Sequence, residues 1–108
     1  MRSFIVVTDN SEKYIKDVLC SLLPLEKDEE LIIFDNMSTD NTVPLIVSTM
    51  GVLWIDEENK YKFYINKTKE SIEVVTNKAL SIAKYQPVMI KNKSKFKIEE
   101  VLKDVENK

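Results

Sequence analysis

The stretch Glu30-Leu31-Ile32-Ile33-Phe34-Asp35-Asn36-Met37-Ser38-Thr39-Asp40-Asn41-Thr42 decides the fold of this chain. Its first part is a short apolar run with no internal breaker, which reads as a strand buried on both faces, and Asp35-Asn36 stops it. Ser38–Asn41 is a polar turn, and Thr42–Met50 then reads as a helix, with Pro44 tolerated because it falls near the start. The same order of elements occurs upstream. Phe4–Thr8 is a second β-branched run, and Asn10-Ser11 is a helix-start signal with Glu12 in the first turn, where the helix dipole favours an acid. Tyr14, Ile15, Val18, Leu19, Leu22 and Leu23 recur at helical spacing until Pro24 ends the segment.

Downstream, Gly51 stands where a helix C-cap is expected. Val52–Ile55 reads as a third strand and Tyr61–Ile65 as another after a polar Asp56–Lys60 turn; the two form a hairpin, or one of them is irregular. Ile72, Val75, Ala79, Ile82 and Ala83 fit a helix from about Lys69 to Lys84. Pro87–Ile90 is a short apolar strand, and Ser94 is placed to cap a last helix carrying Ile98, Val101, Leu102 and Val105 on one face. This alternation predicts an α/β domain with a mainly parallel, doubly wound sheet and helices on both faces. Ligands of such sheets sit at the carboxyl ends of the strands, which selects Thr8–Ser11, Asp35–Asp40 and Asn92–Lys95.

Composition narrows the chemistry. The chain has 108 residues, the size of one domain spanning 1–108, and 44% hydrophobic with 31% charged residues fits a folded globular chain. The complete lack of histidine excludes a Ser-His-Asp triad and any His-ligated zinc or haem. The single cysteine, Cys20, excludes an internal disulfide, suits a reducing compartment such as the cytoplasm, and is expected as a buried small hydrophobe. Trp54, on the expected third strand, is read as a packing residue. Nothing is long and apolar enough to span a bilayer, and no secretory signal opens the chain. Charge is uneven. Residues 1–59 carry −8 and residues 60–108 carry +6, with the densest basic stretch at Lys91–Lys97. A net charge of −2 argues against a general nucleic-acid role.

Three segments together resemble the N-terminal half of a family 2 glycosyltransferase. Ile5–Ile15, followed by Leu19-Cys20-Ser21-Leu22-Leu23, is similar to the opening strand, the Thr-aromatic-Asn turn and the first helix. Glu30–Thr42 resembles the strand that ends in Asp-Asp-Gly-Ser-x-Asp-x-Thr. Asn77–Lys84 and Val88–Ile90 resemble the Arg-Asn-x-Gly helix and the strand leading into a metal-binding Asp-x-Asp. The resemblance covers roughly residues 3–94. It implies a nucleotide-diphospho-sugar transferase-like fold, with a nucleotide or nucleotide-sugar held by Asp35, lined by Thr8 and Asn10, with Asn36 and Asp40 beside it. Read without the resemblance, Asp35, Ser38 and Asp40 build an Asx turn and cap the following helix.

The departures from the family pattern bear on function. The second acid of the Asp-Asp pair is Asn36, and the glycine after it is Met37, whose side chain is expected to hinder close backbone approach. Where the family carries Asp-x-Asp, this chain has Asn92-Lys93-Ser94 between Lys91 and Lys95. That triplet is assigned to the diphosphate region; without carboxylates it implies no divalent metal and no cofactor. Three readings stay open: a nucleotide-sugar-binding domain without turnover of its own, a minimal or partner-completed transferase, and an interaction domain that keeps only the fold. A homodimer is expected, with the Ile98–Val105 stripe either in that contact or folded back as a lid.

Overall fold

Four strands and three helices alternate along the chain: β1 (Arg2–Thr8), α1 (Ile15–Leu22), β2 (Glu29–Asp35), α2 (Thr42–Asp56), β3 (Tyr61–Ile65), α3 (Ile72–Ser81) and β4 (Gln86–Ile90). The computed structural model describes residues 1–56 and 60–90. The strands form one sheet in the order β3-β2-β1-β4, and every pairing is parallel. This is the doubly wound α/β arrangement that the alternation predicts.

Strand periodicity sorts the core into two layers. Phe4 and Val6 of β1, Leu31 and Ile33 of β2, Tyr61 of β3 and Val88 and Ile90 of β4 face one side, packed with Ile15, Val18, Leu19 and Leu22 of α1 and Ile46 and Met50 of α2. Ile5, Val7 and Ile32 face the other side, under Val75 and Ala79 of α3, with Phe34 and Met89 at the margins. β1 is buried along nearly its whole length because helices cover both of its faces.

The same parity places Ser3, Glu30 and Lys62 on the α3 face near the amino ends of the strands, Ser3 level with Glu30 and Lys62 level with Ile32. Glu30 is 1% exposed and accepts from the Ser3 hydroxyl at 2.5 Å, Lys62 Nζ at 3.0 Å and the Lys84 backbone N–H at 2.7 Å. Burial pushes its carboxyl up, but the Ser3, Lys84 and Lys62 donors outweigh burial and hold it below the usual glutamate range. Ser3 Oγ in turn accepts from Tyr85 N, so this knot fixes the turn from α3 into β4.

Several sequence expectations are corrected. Val52–Ile55 is not a strand but the last part of α2, so no hairpin forms, and β3 pairs with β2 in parallel. Gly51 therefore lies inside a helix rather than capping one. A glycine costs a helix only about 1 kcal/mol, and a four-residue apolar run is too short to distinguish strand from helix. α1 begins at Ile15 rather than at Asn10-Ser11, because those side chains are engaged elsewhere; Tyr14 is its N-cap, with no side-chain cap. α3 starts after Ser71, whose hydroxyl accepts from Val74 N, and ends at Ser81, before Ala83 and Lys84. Cys20 is exposed, not buried. The Trp54 side chain, the Asn92-Lys93-Ser94 triplet and the Ile98–Val105 stripe lie outside the described residues and side chains.

Candidate functional site

β1 is the strand at which the winding reverses: β2 lies on one side of it and β4 on the other. At such a switch point the loops leaving the strands part and open a crevice at their carboxyl ends. A cleft of about 560 Å³ lies there. Val7 and the Asp9–Ser11 turn form one wall, Tyr14 of the α1 N-cap lies beside them, Ile72 and Thr76 of α3 form the opposite wall, and Met89 and Ile90 of β4 complete it.

Behind this cleft the loops are joined by a network of short-range polar contacts. Thr8 and Asp35 end β1 and β2 side by side, and both are fully buried. Asp35 Oδ1 accepts from Thr8 Oγ1 and Ser38 Oγ, each at 2.6 Å, and Oδ2 accepts from Ser38 N at 2.8 Å. Its carboxylate thus builds the turn after β2. In that turn Met37 has φ 53°, in the left-handed region. A glycine would adopt this conformation freely, whereas an L side chain pays about 1–2 kcal/mol there. The Met37 side chain is exposed and lines no part of the cleft.

Asn10 also has a positive φ, 51°, which asparagine tolerates better than most residues. That turn aims Asn10 Oδ1 at the 38–42 loop, where it accepts from Thr39 N at 2.8 Å and Asp40 N at 3.3 Å. Ser38 Oγ accepts from Asn10 N at 2.9 Å, so the two loops bind each other reciprocally. Asp40 Oδ1 accepts from Thr42 N at 3.0 Å and Thr42 Oγ1 at 2.5 Å, capping α2. Burial alone would raise the Asp40 carboxyl, but the Thr42 hydroxyl and the Thr42 and Glu12 N–H donors hold it below the usual aspartate range.

Asn36 points to the α3 side of the sheet and is fully buried. It contacts Asp9, Asn66 and Glu70. Asp9 also pairs with Lys69, and Glu70 with Lys78. The carboxylates of Asp9, Asp35, Asp40 and Glu70 are therefore each engaged with donors of this chain. Among the described residues no group of three or more Asp, Glu, Cys or His side chains could hold a metal ion.

The five sequence-selected residues Thr8, Asn10, Asp35, Asn36 and Asp40 thus gather in one cluster, but only Asn10 lines the cleft. Asp9 and Ser11 lie within the stretch marked by the strand-end rule. Tyr14, Ile72 and Thr76 carry no local signal, since on a helical wheel they read as ordinary amphipathic positions.

A glycosyl transferase family 2 model matches residues 3–90. Among solved structures, the 1–349 fragment of S. aureus TarS is similar at 29% identity with a TM-score of 0.70, over 98% of this chain and 31% of that one. The same fragment in complex with UDP is similar at 28% identity with a TM-score of 0.69, over 99% and 31% of the two chains. The mannosyltransferase PcManGT from Pyrobaculum calidifontis, in complex with GDP-Man and Mn2+, shares the fold at 21% identity and a TM-score of 0.59, over 76% of this chain and 24% of that one. No curated protein matches the chain. The chain spans about a third or less of the length of these structural relatives. With its parallel switch-point sheet and a family match over residues 3–90, the chain belongs to glycosyl transferase family 2.

Proposed function

We propose that the switch-point cleft binds a nucleoside diphosphate or nucleotide-sugar, and that this chain does not transfer the sugar on its own. The observation that carries the reading is the position of the cleft, at the carboxyl ends of β1 and β4 where the winding reverses. Its volume falls within the ~300–1,000 Å³ of small-molecule sites. Apolar Val7, Ile72, Met89 and Ile90 suit a base, and Asn10, Ser11 and Thr76 offer polar contacts. A UDP complex of a relative 28% identical over nearly all of this chain supports the ligand class.

In this reading Asn10 touches the nucleotide, while Thr8, Asp35, Asn36 and Asp40 hold the loops that frame it. We assign the diphosphate to Asn92-Lys93-Ser94, which begins two positions in sequence after the cleft-lining Ile90. Lys91, Lys93 and Lys95 offer a diphosphate charge neutralisation without a divalent metal. The single, exposed Cys20 suits a cytoplasmic setting, and we place the chain there as a homodimer.

A second reading, an interaction domain that keeps only the fold, is favoured by one observation: the Asp35, Asn36 and Asp40 side chains are already engaged with protein partners. Thermal-shift titration with UDP, GDP and their sugars, with and without manganese, separates the two. A ligand at a hundred times its Kd stabilises by about 2.7 kcal/mol. No rise in Tm with any of these ligands would leave the interaction reading standing.

A further inference from the structure

We propose that Asn36 is the positioning residue of the cleft, its carboxamide holding the Asp9 wall and the α3 wall at a fixed separation. The assignment of the ligand rests on the nucleotide reading above; the clasp itself rests on geometry. Asn36 Nδ2 donates to Glu70 O at 2.6 Å and to Asp9 Oδ2 at 3.2 Å. Asn36 Oδ1 accepts from Glu70 N at 2.9 Å and from Asn66 Nδ2 at 3.3 Å.

The orientation of this amide follows from its partners. A backbone N–H can only donate and a backbone C=O only accept, so the pair of bonds to Glu70 fixes which end of the carboxamide is oxygen. Two bonds to one peptide segment also fix direction, as a strand pairing would. Glu70 is followed by Ser71, the α3 N-cap, and then by Ile72 on the cleft wall. Asp9 stands on the opposite wall. Asn36 therefore bridges the two sides from behind, without lining the cleft.

A second link between the walls is the Lys69–Asp9 ion pair, whose side chains are 48% and 30% exposed. A solvent-screened pair of this kind contributes little, so the buried carboxamide is the tie that sets the spacing. A carboxylate at position 36 would keep the acceptor bonds and lose the donor bonds. It would also stand against the Asp9 carboxylate, with Lys69, Glu70 and Lys78 the other charged groups nearby.

The test uses amide hydrogen exchange of the free chain together with UDP and GDP titration of the wild type, Asn36→Asp and Asn36→Ala. In Asn36→Ala the Glu70 amide, which Asn36 Oδ1 accepts from, should exchange at least tenfold faster while the Ile5 and Ile32 amides in the central strands keep their rates. In Asn36→Asp nucleotide affinity should fall about tenfold at pH 8. That deficit should narrow toward pH 5.5, because a protonated carboxyl regains one donor; a purely structural defect would not follow pH in this way. Asn36→Asp also keeps the test decisive if Asn36→Ala fails to fold. Unchanged Glu70 exchange in Asn36→Ala, or an affinity deficit in Asn36→Asp that is independent of pH, overturns the clasp. Wild-type protein that binds neither nucleotide, with exchange behaving as expected, overturns the nucleotide reading and with it the ligand assigned to the clasp.

Discussion

Replacing Asp35 by alanine should unfold this protein at a much lower temperature rather than merely weaken a ligand. The carboxylate has no exposed surface, and it accepts from Thr8 Oγ1, Ser38 Oγ and Ser38 N. A hydrogen bond to a charged group contributes about 1.5–3 kcal/mol. Thr8 is fully buried, so its hydroxyl would be left with no replacement acceptor, while half-buried Ser38 would recover water in part. Counting the Thr8 bond fully and the Ser38 pair at a fraction, the expected loss is about 2–4 kcal/mol. At roughly 4–8 °C per kcal/mol for a domain of this size, Tm should drop by about 10–25 °C. Circular dichroism melts of wild type, Asp35→Ala, Thr8→Val and the double variant measure this, and the cycle should return a coupling of about 1 kcal/mol or more. A Tm within about 2 °C of wild type in Asp35→Ala would refute the argument. It would mean that the carboxylate faces solvent or ligand instead of the turn.

Glu30 should make the fold acid-sensitive. The folded chain keeps this carboxyl ionised below its ordinary value of 4.5, so the unfolded chain binds more protons in that range. Stability should be fully present above that value and fall as pH drops below it; Asp40 acts in the same direction. Glu30→Gln should flatten the acid limb of a Tm–pH profile and lower stability at neutral pH by about 1–3 kcal/mol. Cys20, exposed on α1, should react with a thiol reagent in the native protein as fast as in urea, and strong native protection would contradict its placement. Isothermal calorimetry with Mn2+ should detect no one-to-one site of micromolar affinity. Light scattering should give about twice the 12.6 kDa chain mass at micromolar concentration, and a monomer mass across a concentration series would exclude the dimer.

Much of the architecture is legible in linear order because β1 and β2 are built on short apolar runs closed by polar residues. Phe4–Thr8 and Leu31–Phe34 each lie inside a strand, and Ile15, Val18, Leu19 and Leu22 form the buried face expected of the first helix. Val52–Ile55 misleads for a definite reason. In four apolar residues the two periodicities coincide, and only the parallel pairing of β2 with β3, which requires a crossover, makes the segment helical. Cys20 misleads similarly, since it adjoins the buried Leu19 in sequence yet lies a step around the helix on the solvent side.

The sequence by itself determined which residues meet at the carboxyl ends of β1 and β2, because strand ends and turn chemistry are local. It could not determine their jobs. Whether a carboxylate at a strand end faces a ligand or a neighbouring hydroxyl depends on which loop folds over it, and that is set by contacts between residues some 27 to 34 positions apart. Tertiary structure alone brought Thr8 against Asp35, turned Asn36 toward Glu70, and added Tyr14, Ile72 and Thr76 to the cleft beside Asn10. The physical reason is that a buried polar group must find a partner wherever the packed fold supplies one, and local sequence does not record where that is.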